Sequence, residues 1–243
     1  MGINTCAHMI SNFMTFHLGP ALAFNMNRYG TSTKAREKTD ILFSHGLIRK
    51  NQAVMCAFGE IDCRVHVLRH AEKRGGDFRP VVDDIAANYS EFLKYAAREH
   101  PVYVWGAVPS QKDTDPVNPD FPRYGTEIQR NLATEYFNLR MKAVCEENGF
   151  KFFSIFDKLI DSSYRTKAEY IADGCHLSQK AWEFASEEFR RQGIEIKFSH
   201  EWAEMSGLRN TQGRIRRKIN LITAILRYYY TDILTFRRLM KSL

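Results

Sequence analysis

The chain has no run of about twenty apolar residues, so nothing in it reads as a conventional membrane-spanning helix. No stretch reads as a secretory leader, since none combines a charged start, an apolar centre and a small-residue cleavage site. Its five cysteines (Cys6, Cys56, Cys63, Cys145 and Cys175) are odd in number and irregularly spaced. That excludes an ordinary disulfide framework and points to a reducing, cytoplasmic setting. The glycine and hydroxyl-rich stretch at 30–34 lacks the spacing of a phosphate-binding loop. His66 and His70 lie near Asp62 but complete no compact metal-ligand motif, so neither metal nor cofactor is expected.

What is present is the material of a folded domain. The 243 residues are 44% hydrophobic and 26% charged, enough to bury a substantial core. The net charge of +7 is concentrated at one end. Residues 209–243 hold nine Lys/Arg and one Asp, which leaves the rest of the chain at −1. The body of the protein therefore shows no electrostatic footprint for nucleic acid.

The clearest early strand is 54–58, which runs into Gly59 and then into a dense ionisable cluster of Glu60, Asp62, Arg64 and His66. A buried parallel strand delivers side chains to the carboxyl edge of an α/β sheet in this way. Upstream, His17-Leu18-Gly19-Pro20 reads as a short strand or turn with a helical start at the proline. Residues 69–77, with Gly75-Gly76, read as a loop. A helix is expected over 81–100, with Val82, Ile85, Tyr89, Phe92 and Ala96 on one face. Val102-Tyr103-Val104-Trp105 is the next strand, and a proline-rich loop at 109–124 follows it.

A second helix is expected over 127–147, with Ile128, Leu132, Tyr136, Leu139, Ala143 and Val144 inward and Asn148-Gly149 ending it. Residues 150–156 form a third strand, and a helix from Ser178, as its cap, runs to about Arg191. Strands alternating with long helices imply βαβ crossovers and a parallel sheet. Two regions result: an α/β domain over 1–200 and a helical tail over 201–243. In the tail, Ile215, Ile219, Ile222, Leu226, Tyr229, Ile233, Phe236, Met240 and Leu243 recur at alternating steps of four and three beside many arginines and lysines. Three readings of residues 214–243 compete: packing on the chain's own domain, pairing in a homo-oligomer, and lying on an anionic membrane surface.

Asp173 and His176 form the strongest chemical pair. An aspartate three residues before a histidine can hold one ring nitrogen and fix the tautomer, leaving the other to take a proton from a hydroxyl. From the spacing alone, which is common, a helix cap followed by a surface histidine is the more ordinary reading. Arg64 has two readings as well: a partner for Glu60 or Asp62 at a salt-bridged strand end, or a clamp for a carboxylate or sugar group.

Gly59-Glu60-Ile61-Asp62, followed about 110 residues later by Asp173-Gly174-Cys175-His176, resembles blocks III and V of the SGNH/GDSL hydrolase superfamily. Phe58-Gly59-Glu60-Ile61-Asp62-Cys63-Arg64 and His17-Leu18-Gly19-Pro20 resemble a branch found in bacterial polysaccharide gene clusters. The resemblance implies a flavodoxin-like three-layer α/β/α fold. It implies an esterase or acyltransferase acting on an acylated carbohydrate, or another small acylated substrate, through a serine and without a metal. By that likeness Asp173 orients the base His176, and Gly19 or Gly59 lies beside the oxyanion, with Glu60, Asp62 and Arg64 on the substrate side. Two departures stand out. Ile61 occupies the place of an asparagine whose amide helps hold the oxyanion in the superfamily. The Gly-Asp-Ser stretch that carries the nucleophile is absent, which leaves Ser11 as a weak candidate. The first strand and its serine therefore belong upstream of Met1, or the chain is a divergent member, including a catalytically inactive glycan-binding or assembly module.

Overall fold

The computed structural model describes residues 13, 15–117, 119, 122–172 and 175–196. Its compact unit spans Leu18–Ile194. The tail stripe at 214–243, Ser11 and Asp173 lie outside the described residues.

Three strands, β1 (Val54–Cys56), β2 (Val102–Trp105) and β3 (Lys151–Phe153), form a parallel sheet in the order β1-β2-β3. The register pairs Cys56 with Val104 and Val104 with Phe152, and Trp105 with Phe153. Side chains alternate across a strand, so Cys56, Val104 and Phe152 share one face, while Trp105 and Phe153 share the other. The helices α3 (Arg79–Ala96) and α4 (Glu127–Asn148) make the β1-to-β2 and β2-to-β3 crossovers and pack on each other. The helix α6 (Trp182–Arg191) covers the opposite face, where Phe189 packs against Trp105 and Phe153 at ring-centroid distances of 5.3 and 5.5 Å. The protein is therefore an α/β fold with a parallel sheet flanked by helices. The remaining helices are α1 (Ala35–Ser44), α2 (Val67–Glu72) and α5 (Phe156–Leu159). Among the described residues, no helix is long and apolar enough to cross a membrane.

Several elements follow directly from local chemistry. All five residues on the expected face of α3 are buried, and Pro80 sits in its first turn. Thr126 and Gln129 close a capping box at the start of α4, and Gly149 ends it with φ +70°. Elsewhere the expectations change. The stretch read as loop at 69–77 begins inside α2, which runs to Glu72. Residues 60–66, read as a strand edge, are helical and include a π-helical turn at Asp62–His66. Ser178 does not cap a helix; its hydroxyl donates to the Glu169 carbonyl at 2.6 Å, and a 3-10 turn over Gln179–Ala181 precedes α6.

The largest correction concerns α4. Leu139, expected inside, is 60% exposed, whereas Arg130, Asn131, Thr134 and Asn138 are buried beside Ala133, Phe137, Met141 and Cys145. The reason is the chain leaving β2. It runs through the interior, where unpaired peptide groups are costly, and α4 supplies their partners. Asn138 accepts from the Ala107 N–H at 2.8 Å and donates to its carbonyl at 2.9 Å. Asn131 accepts from the Ser110 N–H and donates to the Tyr164 carbonyl and the Thr166 hydroxyl. Arg130 donates to the Ser110 hydroxyl and to the Gln111 and Gly125 carbonyls, and pairs with Asp113 at 2.9 Å.

Replacing Asn138 by alanine strands both peptide groups of Ala107 and should cost roughly 2–4 kcal/mol in chemical unfolding. Leu139→Gln, on the exposed side of the same helix, should change stability by less than about 0.5 kcal/mol. Equal costs for the two would contradict the inward polar face.

Candidate functional site

Gly59 follows β1, and His176 lies between β3 and α6. The last turn of α6 returns to the β3 backbone: the Gln192 side chain donates to the Phe152 carbonyl at 3.0 Å, and Lys151 Nζ donates to the Gln192 carbonyl. The chain between, including His176, therefore leaves from the carboxyl end of β3, as 57–62 leaves from the carboxyl end of β1.

Gly59 is fixed by space as well as by backbone. Its φ is +109°, and an added Cβ would lie 2.3 Å from the Phe137 ring of α4. Its carbonyl accepts the Cys63 N–H at 3.0 Å, which starts the helical turns of the cluster. Those turns face two ways. Asp62 is 1% exposed and accepts the backbone N–H groups of Ala23 at 2.8 Å and Phe24 at 3.3 Å. It thereby fixes the 3-10 turn at Ala23–Asn25, in the segment that carries Gly19. Burial pushes the Asp62 carboxyl up to about 6, against the opposing pull of the Ala23 and Phe24 N–H groups. Gly19 itself has φ +92°, and its carbonyl accepts the Ala21 N–H. Lys38 donates to the neighbouring Leu18 carbonyl at 3.0 Å.

Arg64, also buried, turns the other way. Its Nε bonds Glu60 at 2.5 Å, a second nitrogen reaches the other Glu60 oxygen, and a third donates to the Pro122 carbonyl. The Arg64 carbonyl accepts the Tyr124 N–H at 2.9 Å. Glu60 and Arg64 thus form an internal pair that holds the loop ahead of α4, and Asp62 holds the N-terminal segment. Their polar atoms are engaged by the chain itself. His66 stacks with His70 at a ring-centroid distance of 6.2 Å, and burial, followed by the charges of His70, Arg69 and Arg64, lowers its pKa.

His176 is partly exposed, with its Nδ1 3.5 Å from Cys175 Sγ. Its carbonyl accepts the Ala172 N–H at 2.7 Å, and the Ser178 N–H bonds the Tyr170 carbonyl, so the ring is carried on a closed turn. An antiparallel bridge between Ile171 and Leu177 completes that turn. Cys175 is buried. The structure therefore unites Asp62 with the segment bearing Gly19, and Glu60 with Arg64. Among the described residues no group of three or more His, Cys, Asp and Glu side chains is placed to hold a metal ion.

The sequence reading missed the polar set of α4 that pins 107–113 after β2. A signal existed: Arg130, Asn131, Thr134 and Asn138 recur at steps of three and four, the spacing usually sought only among apolar residues.

No family model matches the chain, and no curated protein matches it. Among solved structures it is similar to a protein of Streptococcus pneumonia whose name refers to platelet activating factor, with 16% identity over 58% of this chain and 59% of that one and a TM-score of 0.42. It is also similar to a GDSL-like lipase from Bacteroides thetaiotaomicron, with 16% identity over 46% of this chain and 51% of that one and a TM-score of 0.36. A phospholipase A1 from Streptomyces albidoflavus shows 14% identity over 65% of this chain and 76% of that one, with a TM-score of 0.38. The chain spans between half and three-fifths of the length of the first two.

Two outcomes follow from this geometry. The raised folded pKa of Asp62, against 3.8 ordinarily, means that the folded chain binds more protons than the unfolded one between those values. The stability contribution is complete below about pH 4 and is lost as pH rises through about 6, a change on the order of 3 kcal/mol. Asp62→Asn keeps an acceptor and removes the ionisation, so urea unfolding should show its stability relative to wild type rising over that window. Parallel pH profiles would exclude the effect. Gly59→Ala should cost roughly 2–4 kcal/mol, because the methyl group meets the Phe137 ring and the backbone is left-handed. A melting temperature unchanged from wild type would contradict that contact.

Proposed function

We propose that the chain carries an SGNH-type site for ester hydrolysis or O-acyl transfer on an acylated carbohydrate. The observation that supports this most is the shared origin of two motif segments. Gly59-Glu60-Ile61-Asp62 and the segment bearing His176 leave the carboxyl ends of strands in one parallel sheet, the side on which such sheets bind ligands. In this reading His176, oriented by Asp173, removes a proton from an attacking hydroxyl. That oxygen bonds to the ester carbonyl carbon, and the proton passes to the departing alkoxide. Gly19 and Gly59 lie on the oxyanion side. Because Asp62 and Arg64 are engaged internally, their part is to position the two segments around the site rather than to grip substrate.

That same engagement, together with Ile61 in place of an amide donor and the lack of a Gly-Asp-Ser stretch, favours a second reading: a glycan-binding or assembly module without turnover. A fluorophosphonate probe separates the two. Under the first reading the probe labels the intact protein, acetylated sugars are hydrolysed, and His176→Ala loses both by at least about a hundredfold, the usual scale for a general base. Labelling that survives the substitution removes His176 from the mechanism. Glycan binding with neither labelling nor turnover establishes the second.

A further inference from the structure

Leu18 is buried, and the Lys38 ammonium of α1 donates to its carbonyl at 3.0 Å. That carbonyl shares a peptide group with the Gly19 N–H. Among the described residues no peptide bond is cis, and in a trans peptide the C=O and N–H point in opposite directions. Lys38 therefore turns the Gly19 N–H away from itself. On the other side, the Gly19 carbonyl accepts the Ala21 N–H at 2.8 Å, which closes a tight turn around Pro20. Asp62 anchors the same segment further on, at 23–24. Backbone rather than space requires the glycine: its φ is +92°, while an added Cβ would make only ordinary contacts with Lys38 Nζ at 3.8 Å and Thr33 at 3.9 Å.

The result is a donor held at a fixed angle. Among the described residues none accepts the Gly19 N–H, and Gly19 is half-buried. Backbone N–H groups in folded chains nearly always find an acceptor, so this one is left for water or a ligand. The cation at the far end of the peptide group also strengthens it, because linked hydrogen bonds polarise one another. Burial lowers the Lys38 pKa, opposed by Glu37, so the ammonium is kept where its charge is poorly screened.

We propose that Lys38 is a positioning residue: through the Leu18 carbonyl it aims the Gly19 N–H and strengthens it as a donor to the oxyanion. This rests on the ester-transfer reading, in which Gly19 lies on the oxyanion side. Ile61 stands where the superfamily has an amide donor, so the backbone donor has more of the developing charge to hold. A lysine that only satisfied a buried carbonyl would affect stability and leave the reaction alone.

The test compares wild type with Lys38→Met, which keeps the stem and loses the ammonium, and Lys38→Arg, which keeps a charged donor. On acetylated sugars Lys38→Met should lower kcat roughly ten- to a hundredfold, somewhat less than outright loss of an oxyanion donor. KM should stay within about twofold, because the bond matters in the transition state. Lys38→Arg should recover kcat to within about fivefold. Lys38→Gln, shorter and uncharged, serves the same comparison if Lys38→Met does not fold. A second measurement needs no turnover: methylphosphonate, an anionic tetrahedral probe, is titrated into the isotope-labelled chain while the Gly19 amide resonance is followed. That resonance should move downfield to saturation in wild type and Lys38→Arg, and the uncharged variant should bind at least about tenfold more weakly. Hydrolysis unaffected by loss of the ammonium overturns the proposal and leaves the esterase reading standing. A chain that hydrolyses nothing, yet whose Gly19 amide answers the phosphonate through Lys38, keeps the positioning role and removes the esterase reading. A Gly19 amide indifferent to the phosphonate in wild type, or equally responsive without the ammonium, overturns the proposal.

Discussion

Peptide groups taken out of water must find partners, and in this protein that requirement is concentrated on one helix. The chain leaving β2 passes through the interior, and α4 answers with Asn138 for Ala107, Asn131 for Ser110 and Arg130 for Gln111 and Gly125. The same helix reaches across to the segment after β3 through Asn131 and Thr166, while Glu127 accepts the Thr166 N–H at 2.7 Å. Two loops on the carboxyl side of the sheet are thus held by hydrogen bonds in addition to apolar packing. Hydrogen bonds are directional, so this arrangement fixes the course of the loops more tightly than burial alone.

The ionisable cluster after β1 works in a related manner. Asp62 bonds two backbone N–H groups and Arg64 bonds Glu60 and Pro122. The cluster organises the chain around it. His176, partly exposed, is carried on a turn closed by its own backbone bonds.

The parallel sheet, its two crossover helices and the end of α4 were legible because they depend on local chemistry: apolar runs at 54–58 and 102–105, the spacing from Val82 to Ala96, and the Asn148-Gly149 stop; the first crossover helix ends at Ala96, short of the expected His100. The inward face of α4 was not, because counting apolar residues ranks Leu139 above Asn138, and only the path of the 107–113 chain makes the asparagine the better core residue. The helix at 60–66 was hidden for a similar reason. Charges close in sequence look like a strand end until Asp62 and Arg64 have partners from 39 and 58 residues away. Of the candidate site, the motif segments and the end of the sheet from which they leave could be read. The internal use of Asp62 and Arg64 could not, since it depends on tertiary neighbours.

The π-helical turn at Asp62–His66 has one further consequence. Two side chains two positions apart on a helix point to nearly opposite sides, and here both are anchored, one to 23–24 and the other to 122. The turn is therefore a fulcrum shared by two stretches of chain distant in sequence. Displacing either stretch therefore strains the same short helix that holds the other, so the two are not independent of one another.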